Sequence, residues 1–165
     1  MAAAALSEAL PGVIVRSCGT HRTTLPVDPH AVSVCADRGL DIAGHVPRSM
    51  DADLLRTDGA DLIVTMTREQ LRDVATTDRR AWGRCFTLRE AVRRSAAAAP
   101  CASWEEWLGE IGRDRSPRDL LGAAAADDVA DPYGFGIDAV KRTGDDLWAL
   151  AGELASTLRR FVTPR

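Results

Sequence analysis

Three groups of residues in this 165-residue chain are of types that carry chemistry. The first is "DVADPYGFG", residues 128–136, in which Asp131 is joined to Pro132 and followed by Tyr133, the chain's single tyrosine, and by two glycines. An Asp-Pro pair ahead of glycines is a turn by default. It is also a way to hold a carboxyl group out on a loop, where α/β proteins place groups that move protons. The second group is His21, His30 and His45, which are dispersed. His30 falls inside an expected helix and reads as solvated. His45, in the connector "AGHVPR", reads either as a plain structural histidine or as one that holds another loop by hydrogen bonds. The third group is Cys18, Cys35, Cys85 and Cys101, with no C-x-x-C pair among them. Cys18 and His21 are three apart, but no second close pair completes a zinc set, so no metal is expected. All four cysteines read as buried small hydrophobes, and unpaired cysteines without a secretion signal fit a reducing cytoplasm.

Other classes lack their signatures. There is no G-x-S-x-G, no Walker-type G-x-x-x-x-G-K and no G-x-G-x-x-G, so neither a serine hydrolase elbow nor nucleotide binding is supported, and no cofactor is expected. A formal net charge of -3 offers no broad basic surface for nucleic acid. No apolar run approaches the roughly 20 residues of a membrane helix. The opening "MAAAALSEALPG" lacks a basic leader and contains Glu8, so it reads as a helix. Arginine almost entirely replaces lysine, with Lys141 alone, which together with the alanine richness suits a GC-rich bacterial source.

The elements that would position these residues follow from local signals. Ala3, Leu6 and Leu10 give the first helix its face, and Pro11-Gly12 ends it. "VIVRS", residues 13–17, is a β-branched run read as a strand, and residues 19–27 are loop. Asp28 with Pro29 opens a helix over residues 29–38, closed by Gly39. Asp51 caps a short helix holding Leu54 and Leu55. "DLIVTM", residues 61–66, is apolar on both parities, as in a strand covered on both faces. Thr67 with Gln70, and Ser103 with Glu106, form capping boxes for two further helices. "RCFTL", residues 84–88, is the next strand, "REAVRR" begins a helix, and Ser116-Pro117 begins another. "RDRSPRD", residues 113–119, reads as a solvated turn. Leu147, Ala151, Leu154, Leu158 and Phe161 form the stripe of a last helix. Strands alternating with helices imply an α/β fold with a parallel sheet, in a single domain over residues 1–165.

In order along the chain, "VIVRSCGTH", "VDPHAVSVCADRGLDIAGHVPR", "DLIVTMTREQLRDV", "CFTLREAV" and "DVADPYGF" resemble the low-molecular-weight protein tyrosine phosphatases. The resemblance runs from near residue 1 to the last helix and is weakest at about residues 95–126, which looks like the family's variable insertion. It implies a small three-layer sandwich with a four-stranded parallel sheet, order 2-1-3-4. It also implies hydrolysis of phosphotyrosine, on a protein or a small phosphomonoester, through a cysteinyl-phosphate intermediate. By the resemblance, Asp131 is the general acid that protonates the leaving phenolate, Tyr133 lines the substrate slot, and His45 supports the phosphate loop.

The family's nucleophile lies in a C-x-x-x-x-x-R-S-P loop after its first strand. Six positions beyond Cys18, Cys35, Cys85 and Cys101 stand Thr24, Asp41, Ala91 and Trp107, so no cysteine here has that arginine. Met1 aligns just after the expected R-S-P. The chain is therefore expected to be N-terminally truncated, to lack the first strand and phosphate loop, and to be poorly folded or inactive as written. A start codon placed too late is the simplest cause. Two alternatives stand beside the phosphatase: a non-catalytic pseudophosphatase that binds a protein partner, and an arsenate reductase of the same fold, which needs a relay of further cysteines. Phosphoarginine in place of phosphotyrosine is a further possibility within the phosphatases.

Overall fold

The computed structural model describes residues 1–20, 26–55, 59–121 and 125–162. The helices are α1 (Ala2–Ala9), α2 (Pro29–Ala36), α3 (Ala52–Leu55), α4 (Arg68–Thr77), α5 (Leu88–Ala97), α6 (Trp104–Gly112) and α7 (Ile137–Leu158). The strands are β1 (Ile63–Thr65) and β2 (Cys85–Thr87). The chain divides into two compact units, one of residues 1–49 with 130–165 and one of residues 50–129.

The first unit is helical. Asp28 Oδ1 accepts from the amides of His30 (2.7 Å) and Ala31 (3.3 Å), and Pro29 occupies the first helical position, so α2 starts where its cap dictates. Gly39, at φ 76°, closes the turn beyond α2 in a conformation that side chains with a Cβ disfavour. Along α7, Leu147, Ala151, Leu154 and Leu158 are buried as the stripe requires, joined by Val140, Leu150 and Ala155. Phe161 lies past the helix end and is only half-buried. A Cβ on Gly144 of α7 would stand 2.9 Å from Val34 Cγ1, so this glycine permits the close approach of α2 to α7. Arg38 ties the same pair, bonded to Asp145 and lying over the Trp148 ring at 4.7 Å. Arg159 donates to the Ala9 carbonyl at 3.1 and 2.9 Å, which joins α1 to α7.

Two expectations fail in this unit. Residues 13–17 form no strand: Ile14 is 80% exposed, and the nearest sheet-like contact is an isolated parallel bridge between Gly19 and Ser49. A β-branched run becomes a strand only when a neighbouring chain accepts its amides and carbonyls, and no such ladder exists among the described residues. Cys18 is exposed, unlike the buried Cys35 and Cys85, and Cys101 is half-buried. Of the loop expected at residues 19–27, positions 21–25 lie outside the described residues, His21 with them.

The second unit holds the parallel sheet of an α/β fold. β1 pairs with β2 in the register Ile63–Cys85, Val64–Phe86 and Thr65–Thr87, and α4 with a 3₁₀ turn (Arg79–Arg84) forms the crossover. Both strands are shorter than their apolar runs. Arg84 belongs to the 3₁₀ turn, and Thr87 Oγ1 accepts the Glu90 amide at 3.1 Å, which starts α5 at Leu88. Leu55, Leu71, Val74, Ala81 and Cys85 form the apolar core, flanked by Met50, Ile63 and Trp82. Both capping boxes are present. Thr67 accepts the Gln70 amide (3.2 Å) and Ser103 the Glu106 amide (3.2 Å). The returning side chains of Gln70 and Glu106 bond the amides of Met66 and Ala102, one residue before each cap.

The expected solvated turn at residues 113–119 is corrected at Arg115. Its side chain is 3% exposed, and its guanidinium lies 3.9 Å from the Trp82 ring centroid and 4.1 Å from that of Phe86. It donates to the carbonyls of Trp82 (2.9 Å) and Cys85 (2.8 Å) and pairs with the buried Glu90 (2.9 Å), which Arg94 also contacts at 3.1 Å. Asp114 at φ 61° turns the chain so that Arg115 enters the core. The region expected as an insertion thus contains α6, a 3₁₀ turn (Pro117–Leu121) and this buried arginine.

Candidate functional site

Asp131, Tyr133 and His45 all fall in the first unit. Asp131 is exposed, and its Oδ1 accepts the Tyr133 amide at 3.0 Å, an Asx turn that Pro132 stiffens by fixing its own φ. The Phe135 amide then bonds the Pro132 carbonyl at 3.1 Å. Gly134 (φ 82°) and Gly136 (φ 77°) take the left-handed conformations that redirect the chain into α7, where Val140 donates to the Gly136 carbonyl at 3.2 Å. The Asp131 carboxyl is thus oriented by its own loop and keeps an oxygen open to solvent.

Tyr133 is 65% exposed and Phe135 is 77% exposed. Two exposed aromatic rings thus stand on one short loop with a carboxyl group. Phe135 was not singled out from the sequence, although its place in "PYGFG" was the available signal.

The His45 side chain is exposed and takes part in no hydrogen bond or ion pair among the described residues, while its amide closes a turn onto the Ile42 carbonyl at 3.0 Å. The residue that ties this connector to another segment is Arg48. Its Nη2 donates to the Ser17 carbonyl at 3.3 Å, and its own carbonyl accepts the Gly19 amide at 2.8 Å. No described bond links His45 with Asp131 or Tyr133.

Cys35 and Cys85 are buried thiols outside any disulfide. Burial is the largest influence on Cys85 and pushes its thiol up to about 12, against the lowering effect of Arg115. Burial also raises Cys35. Neither is poised as a thiolate. Among the described residues no group of three or more His, Cys, Asp or Glu side chains is arranged to hold a metal, and no helix is long and apolar enough to cross a membrane.

A family model described as low molecular weight phosphotyrosine protein phosphatase matches residues 1–100. The "Probable low molecular weight protein-tyrosine-phosphatase EpsP" of Ralstonia solanacearum is 38% identical over 91 residues, which are 54% of this chain and 61% of that protein. The chain therefore spans about three-fifths of the length of this curated relative. A solved structure of a YwlE mutant from Bacillus subtilis matches with a TM-score of 0.70 at 25% identity, covering 96% of this chain and 88% of that one. A YwlE arginine phosphatase, a C7S mutant with a phosphorylated active-site serine, matches with a TM-score of 0.69 at 26% identity over 96% of this chain and 86% of that one.

Proposed function

This chain belongs to the low molecular weight phosphotyrosine protein phosphatase family, and we propose that it carries the acid-bearing half of a phosphomonoesterase. The observation that supports this most directly is Asp131, exposed and oriented by an Asx turn, with Tyr133 beside it. In the proposed reaction a thiolate attacks phosphorus and the bond from phosphorus to the leaving oxygen breaks. Asp131 gives its proton to that oxygen, and its carboxylate then takes a proton from the water that opens the cysteinyl phosphate. The thiolate and its partnering guanidinium come from a Cys-x5-Arg segment, which these 165 residues do not contain. Tyr133 lines the aromatic slot. His45, exposed on its connector, supports the phosphate loop.

The substrate class is a phosphotyrosine-bearing protein or a small aromatic phosphomonoester, acted on in a reducing cytoplasm where thiols such as Cys35 and Cys85 persist. Phosphoarginine is the second reading, favoured by the likeness to the YwlE arginine phosphatase. The arsenate reductase reading is disfavoured by Cys85, whose buried thiol is unsuited to a disulfide relay.

The test joins the chain to a segment of pattern C-x5-R-S-P and follows hydrolysis of phosphotyrosine and phosphoarginine. Turnover is expected in the joined form, with none from the 165 residues alone. Asp131→Asn should lower kcat by about 10²–10⁴-fold for a poor leaving group, the usual share of a general acid. An unchanged rate would remove Asp131 from the role, and binding without any turnover would favour a pseudophosphatase.

A further inference from the structure

The three residues that lead into the acid-bearing loop are held more firmly than a connector requires. The Asp127 carboxylate is buried at 5% exposure between two guanidinium groups. Arg68 Nη2 donates to its Oδ2 at 3.1 Å, and Arg93 Nη2 donates to Oδ1 at 3.0 Å and Oδ2 at 3.3 Å. Burial works against the ionised Asp127, but hydrogen bonds from Arg93 and Arg68 outweigh it and hold the carboxyl below its ordinary value. Asp128 Oδ1 caps α4 by accepting the Arg68 amide at 2.8 Å, and its carbonyl accepts Arg89 Nε at 3.2 Å. The Val129 amide donates to the Met66 carbonyl at 2.8 Å, just past β1, and its side chain is buried. Arg68 also reaches the Asp119 carbonyl, so one guanidinium serves both ends of the segment that precedes the loop.

We propose that Asp127 is a positioning residue for the general acid: with Arg68 and Arg93 it fixes the chain at Val129, so that the loop carrying Asp131 begins from a set point. The inference rests on the reading of Asp131 as the acid. Only Ala130 separates the fixed residue from Asp131, and a short, immobilised lead-in restricts the carboxyl to few orientations. Asp127, Arg68 and Arg93 take no chemical part in the proposed reaction. Their effect passes through the backbone.

Two measurements decide it. Amide hydrogen exchange on the whole chain is compared for the wild type, Asp127→Asn and Arg93→Gln. Arg93 is 60% exposed, so its replacement leaves the fold intact if Asp127→Asn does not fold. Exchange at Val129 and Tyr133 should rise about tenfold, the effect of one lost charge-assisted hydrogen bond, while amides in the middle of α7 keep their rates. Unchanged exchange at Val129 and Tyr133 would overturn the proposal. In the joined, active form, Asp127→Asn should lower kcat with little change in KM, more for poor leaving groups than for good ones, and should add nothing in an Asp131→Asn background. An Asp127 effect that persists undiminished without Asp131 would overturn the positioning role. If Asp131→Asn alone has no effect, the acid assignment fails separately, and exchange still reports on the clamp.

Discussion

The two units solve different problems with the same kinds of residue. In residues 50–129, two carboxylates are taken into the interior against guanidinium partners: Arg115 and Arg94 on Glu90, Arg68 and Arg93 on Asp127. In residues 1–49 with 130–165, helices meet through apolar faces and a glycine, and the side chains with chemical potential, Asp131, Tyr133 and His45, face solvent. Strong electrostatic perturbation here marks scaffold, whereas the residues proposed to act on a substrate are exposed. Arg115 is the sharpest case: it is the most buried of these arginines, and each of its contacts is structural.

The contrast can be broken by mutation. The largest effect should come from Arg115→Ala, which leaves Glu90 buried with Arg94 alone and uncovers Trp82 and Phe86. About 3 kcal/mol of stability should be lost in urea unfolding, and a loss under about 1 kcal/mol would mean that the network is dispensable. In the other unit, Gly144→Ala places a methyl group against Val34 and should cost about 1–3 kcal/mol, the range for overpacking a close helix contact. Pairing it with Val34→Ala should recover part of that loss if the clash is the cause.

Acid should act on the second unit through Asp127. Because its folded pKa lies below the ordinary carboxylate value, the clamp's contribution is fully present above that value and is lost as pH falls through the depressed one. Unfolding followed from pH 5 downward should therefore show a steeper acid loss in the wild type than in Asp127→Asn. Thiol labelling near pH 8 should separate exposed from buried sulfur, with Cys18 modified first, Cys101 next, and Cys35 and Cys85 only on unfolding. Early modification of Cys85 would reopen the redox reading. The smallest effect is expected for Asp131→Asn, within about 0.5 kcal/mol in stability, as for an exposed side chain, even though its effect on turnover is expected to be the largest of all.

Much of the candidate site was legible because it is local. "DPYGFG" encodes its own Asx turn, and the two glycines sit where positive φ is needed. His45 was identified by its place in a family pattern, yet Arg48 makes the bonds between segments. A guanidinium on an exposed connector leaves no periodic trace, so only the fold reveals what it reaches. Asp127 was hidden for a similar reason: its partners are 59 and 34 residues away in sequence.

The sequence by itself determined the helix starts at Asp28, Thr67 and Ser103, the buried stripe of α7 and the family, since caps and stripes depend on atoms three or four residues apart. Only the tertiary structure decided that residues 13–17 form no strand, that Arg115 enters the core and that Asp127 is clamped. A strand exists only with a neighbour to bond, and a buried charge is tolerated only where the fold delivers its counter-charge.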